Sequence, residues 1–119
     1  MSQETIAALR DGMVNKNAAI SLVGREATLG SNTYYVYAIY VLSAGSNDWQ
    51  TVYVTPAYEY GYGEHWVNMA TEKIAELTGV PIDTAYITRW GRENGVAVTA
   101  NMQTVHGEAA LNDFIAAPN

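Results

Sequence analysis

Between Tyr58 and Trp66 the chain reads Tyr-Glu-Tyr-Gly-Tyr-Gly-Glu-His-Trp. Carboxylates interleaved with aromatic rings suit two kinds of chemistry. Rings and acids together can cage a cation or grip Lys and Arg side chains of a partner. His65 beside Glu59 or Glu64 has the makings of a general acid–base pair. A metal site would be the sharpest version, but the chain has two histidines and no cysteine. Adjacent Glu64 and His65 on a helix would not converge on one point either. His106, just before Gly107, reads as a turn residue. Arg25, Arg89 and Arg92 are three of the six cations, placed to hold an anion or, more simply, to pair with Glu26 and Glu93. Gly61-Tyr62-Gly63 lacks the third glycine and the lysine of a phosphate loop. No serine elbow or cysteine nucleophile is present. The expectation is no catalytic residue, no metal and no cofactor.

Charge gives this stretch its context. The 119 residues carry a net charge of −6. Glu26, Asp48, Glu59, Glu64, Glu72, Glu76 and Asp83 stand in the middle of the chain against the single cation Lys73. The remaining acids and bases cancel, so this acidic window accounts for the whole net charge. It disfavours a phosphate backbone, which needs clustered Lys and Arg, and it favours a basic protein partner through steering. Solubility alone would also explain it.

The elements that must position these residues can be read from periodicity. Ser2 to Arg10 has the spacing of a short helix capped by Ser2 and stopped at Gly12. Ala18 to Leu29 reads as a strand, with Gly24 marking a bulge. Gly30-Ser31-Asn32 turns into Tyr34–Ser43, a strand apolar on both faces and therefore covered on both. A turn at residues 44–48 leads into Trp49–Tyr60, where Pro56 should cost the strand a neighbour or force a bulge. Glu64 to Thr78 carries Trp66, Met69, Ala70, Ile74 and Leu77 on one stripe, with Gly79 and Pro81 as the stop. Trp66, Ile74 and Leu77 are expected to be buried. Ile82–Arg92 and Val96–Thr104 flank Asn94-Gly95, a strong hairpin signal. Glu108 to Ala116 is a last short helix, with Pro118 following it near the end of the sequence.

The segment Ile74–Trp90, with its Ile-Ala-x-x-x-Gly-Val turn, resembles the helix-turn-helix of DNA-binding domains, whose second helix enters the major groove. Thr88 stands where that second helix needs an apolar residue, and the surrounding charge is negative. A helix followed by a β-hairpin accounts better for the alternation. The fold expected is therefore a single α+β domain over residues 1–119. Its order is α-β-β-β-α-β-β-α, with a mostly antiparallel five-stranded sheet and helices packed on one face. Eight of the nine tyrosines lie within residues 33–66, more than a monomer needs, and a homodimer through residues 33–62 is expected.

The function expected is binding. The candidate partner-binding residues are Tyr58, Glu59, Tyr60, Tyr62, Glu64, Glu72 and Glu76. The partner would be a basic protein, in the fullest version a nucleic-acid-handling complex, with no direct contact to nucleic acid or membrane. In size and acidity the chain is similar to immunity proteins and to phage anti-defence inhibitors of the anti-CRISPR type, which implies an inhibitor. The alternative is a small enzyme or ligand-binding domain with a pocket between the sheet and helix 64–78, lined by Tyr, Trp, Glu59 and His65. No apolar run long enough to span a bilayer and no signal-peptide pattern is read at the start. With no cysteine, a cytoplasmic location is expected.

Overall fold

A computed structural model describes residues 2–117. Two long strands, β1 (Ala19–Leu29) and β2 (Asn32–Leu42), form its centre. They pair antiparallel along their whole length, from Ala19↔Leu42 to Leu29↔Asn32, about a tight turn at Gly30 and Ser31. The outer side of β2 carries β3 (Gln50–Val54) and β4 (Glu59–Tyr60), and the outer side of β1 carries β5 (Ala97–Thr104). Four helices complete the α+β architecture: α1 (Gln3–Asn15), α2 (His65–Thr78), α3 (Ile87–Asn94) and α4 (Glu108–Ala116). No helix among the described residues is long and apolar enough to cross a membrane.

The sheet is mixed, which corrects the antiparallel expectation. β5 runs parallel to β1, Ala19 beside Ala97 through Glu26 beside Thr104. The cause lies in the segment read as a hairpin. Residues 82–86 form no strand, and Ile87–Asn94 is helical. Ile87, Trp90 and Gly91 are buried, the i, i+3, i+4 spacing of one helix face. Gly95 has a φ of +73° and closes the helix by donating to Gly91 O. Asn-Gly here is a helix C-cap, which requires the same left-handed glycine that a hairpin turn does. With α2 and α3 between β4 and β5, the chain crosses the sheet and returns parallel.

Helices lie on both faces, a second correction. One face carries Ile20 and Leu22 of β1 and Tyr35, Tyr37, Ile39 and Val41 of β2. These pack with Val52 of β3, Leu9 and Met13 of α1, Trp66 and Ile74 of α2, and Ile87 and Trp90 of α3. On the other face α4 sets Leu111 against Ala27 and Val36. Burial of Trp66 and Ile74 agrees with the sequence, whereas Leu77 is only partly buried at the flank.

Three local readings also change. α1 runs through Gly12 to Lys16, which takes the left-handed cap. Gly12 is buried where a Cβ would collide with Ala18. Gly24 marks no bulge, because its register with Tyr37 is regular; it makes room for Trp66 and Met102. The expected interruption at Pro56 is present, since β3 ends at Val54 and β4 begins at Glu59. Thr55 bridges the gap. Its N–H donates to Tyr37 O at 3.0 Å, and its Oγ1 accepts from Tyr37 N–H at 3.2 Å. Pro118, read as following the last helix, lies outside the described residues.

Candidate functional site at the acidic strand margin

The short strand β4 is held to β2 by the pairs Tyr34↔Tyr60 and Tyr35↔Glu59, and Gly61 N–H donates to Thr33 O at 3.0 Å just beyond it. Alternation along a strand sends neighbouring side chains to opposite faces. Glu59 therefore goes to the face of α2, and Tyr60 goes to the face of α4.

On the α2 side the aromatic rings form a row. Tyr35 and Tyr37 stack with centroids 6.2 Å apart, and Tyr53 of β3 continues the row 5.9 Å from Tyr37. Tyr35 Oη donates to Glu59 Oε2 at 3.0 Å. The His65 ring meets Tyr35 edge-on, and both press against Gly61, where a Cβ has no room. Lys73 of α2 lies over the Tyr53 ring at 5.0 Å and pairs with Glu76 Oε2 at 3.1 Å. Burial pushes the Tyr35 phenol well above its ordinary range, followed by its bond to Glu59 and the charges of Glu59 and Glu72. Tyr37 moves the same way, first by burial, then through Tyr53, Tyr35, Glu59 and Glu76. Tyr35 is therefore held as a neutral donor to Glu59. Glu59 of β4 is bonded to Tyr35 and Glu76 of α2 holds Lys73 over Tyr53, so two elements each bring an acid to this row, with exposed Glu72 one turn before Glu76 on α2. Lys73 is the cation set among them.

On the α4 side Tyr34 meets Tyr58 and Tyr60 edge to face, with centroids 5.4 and 5.9 Å away. Tyr58 Oη donates to Glu108 Oε1 at 3.0 Å, tying the exit of the strand to the start of α4. That bond is also what raises the Tyr58 phenol pKa. Tyr60 is 58% and Tyr62 69% exposed.

The seven residues singled out from sequence thus fall into groups. Glu59, Glu72 and Glu76 share the α2 side. Tyr58 and Tyr60 share the opposite side of the same margin. Tyr62 sits in the loop between them. Glu64 is set apart, in a hollow with Arg92, Ala100 and Met102. Sequence reasoning missed Tyr35, Tyr37, Tyr53 and Lys73 as the floor of the acidic group. Alternation of Tyr35 and Tyr37 along β2 was the available signal; the bulge in the β2–β3 register, which brings Tyr53 opposite Ile39, left none.

The space between α2 and the sheet is filled by Trp66, Val67, Ala70 and Ile74. Two hollows that border α2 are lined elsewhere, one by Asn68, Thr71, Glu72 and Ile82 and another by Glu64, Trp66, Tyr86 and Arg92. Among the described residues no three of His, Asp and Glu converge in a way that could hold a metal ion. No protein-family model, curated protein or solved structure matches the chain.

Proposed function

We propose that the protein acts by binding, and that the margin formed by β4 and the outer side of α2 takes a basic protein partner. The observation that carries this reading is that acids from two separate elements flank the Tyr35–Tyr37–Tyr53 row: Glu59 of β4 bonded to Tyr35, and Glu76 of α2 beside Lys73 on Tyr53, one turn from Glu72. Carboxylates gathered this way repel one another, and Lys or Arg side chains from a partner relieve that repulsion. Of the row beneath them only Tyr53 is partly exposed and adds contact area; Tyr35 and Tyr37 are buried and form the floor. Tyr60 and Tyr62, exposed just around the margin, extend the contact to the other face. Blocking a basic, nucleic-acid-handling protein is the function such a surface serves best, so the protein is read as an inhibitor. The pocket reading has less behind it, because Trp66 and Ile74 occupy the space where Glu59 and His65 would have to act.

The test begins with capture of the partner from cells of the native host and its identification by mass spectrometry. Affinity for a basic partner should fall steeply as salt rises. Capture of an acidic partner, or affinity indifferent to salt, would set the reading aside.

A further inference from the structure

The two margins of the sheet are guarded very differently. β3 is five residues long, its register against β2 is broken by a bulge, and Pro56 follows it. Shortness, a bulge and a proline are each ways in which natural sheets keep an edge from pairing. β5 has none of them. It runs eight residues in unbroken register with β1 and is bonded on that side only. From Val96 to Val105 there is no charge and no proline. Ala97, Thr99, Asn101 and Gln103 are exposed along it, because α4 packs over β1 and β2 and leaves this side open.

We propose that β5 pairs edge to edge with β5 of a second copy, antiparallel about a two-fold axis, making one continuous sheet across a dimer. Charge selects a second copy as the occupant. A chain of net charge −6 meets itself with least repulsion along an uncharged strip, and a Lys-bearing strand would find no carboxylate on β5 to pair with. A hollow of about 450 Å³ beside the edge carries Glu64 and Arg92 together with Trp66, Ala100 and Met102. Neither charge has an ion pair among the described residues. A two-fold contact serves both at once, Arg92 of one copy to Glu64 of the other and the reverse. The proposal goes beyond the acidic-margin reading and stands without it. Glu59, Glu72 and Glu76 lie toward the opposite margin, so the dimer would hold one acidic margin open at each end.

Sedimentation equilibrium across the micromolar range tests it on the intact chain. The wild type should be a dimer. Asn101→Glu, at an exposed mid-strand position, should keep the wild-type circular dichroism and raise the dimer dissociation constant about tenfold or more through like charges near the axis. Gln50→Glu on β3 should leave association unchanged. A second readout needs no variant: protection of β5 amides against hydrogen exchange should rise with protein concentration. A wild type that stays monomeric, a dimer that Asn101→Glu leaves intact, or β5 protection indifferent to concentration would each overturn the proposal.

Discussion

Tyr35 and Tyr37 are buried phenols, Tyr35 bonded to Glu59, and their behaviour with pH follows from that placement. Both titrate higher in the folded chain than the ordinary value of about 10. Their contribution to stability is therefore fully present below about pH 10. Above it the unfolded chain releases protons that the folded chain keeps, so stability falls as pH rises, by about 1.4 kcal/mol per pH unit for each phenol. Denaturant melts between neutral pH and the alkaline range should show this decline, and Tyr35→Phe should make its slope measurably shallower. An unchanged slope would mean that Tyr35 is not held protonated by its surroundings. Single hydroxyls matter as much on the other side of α2. Thr71 Oγ1 donates to Val67 O at 2.7 Å and accepts from Ile87 N–H at 2.9 Å, capping a helix whose own N-cap, Tyr86, supplies no side-chain bond. Thr71→Val leaves that buried N–H without a partner and should cost about 1–3 kcal/mol in chemical denaturation.

At the scale of elements, α2 is the part that sequence described best. Its glycine stop and its buried Trp66, Ala70 and Ile74 appear as read, whereas Met69 and Leu77 of the stripe are only partly buried and Val67, Thr71 and Thr78 share the buried face. Ile74→Ala should cost about 2–5 kcal/mol in denaturant titration as a core truncation. Leu77→Ala should cost less, since Leu77 sits at the flank. The central hairpin and the break near Pro56 were legible for the same reason: local pattern and turn chemistry decide them. The segment from Ile82 to Asn94 was not. Its alternation of Ile82, Thr84, Tyr86, Thr88 and Trp90 suits a strand, and Asn94-Gly95 suits both a hairpin and a helix end. The difference is tertiary: Ile87 and Trp90 are buried in the core, and Ile87 N–H bonds to Thr71 Oγ1 across 16 positions, neither of which a local window contains. The direction of β5 followed from the same segment, so one ambiguous dipeptide cost both a helix and the parallel pairing. In the candidate site, Glu72 and Glu76 were legible as an i, i+4 pair. That Glu76 and Lys73 stand over Tyr53, in the row that Glu59 bonds at Tyr35, was not, because it depends on how α2 lies across the strands.

For the molecule as a whole, charge is what separates its margins: acids over an aromatic row at β4 and α2, and an uncharged strand at β5. Replacing Glu72 and Glu76 by Lys should leave folding within about 1 kcal/mol, because the changes are exposed and the Lys73–Glu76 pair that is lost is a surface pair. The same double change should act strongly on binding if the acidic margin steers a basic partner. The most direct measurement is therefore the association rate with the captured partner, for the wild type and for Glu72→Lys/Glu76→Lys, over a series of salt concentrations. The wild-type rate should fall as salt rises, and the double variant should be markedly slower at low salt and nearly flat across the series. Equal rates for the two proteins at low salt would contradict the account and leave the acidic margin a matter of solubility alone.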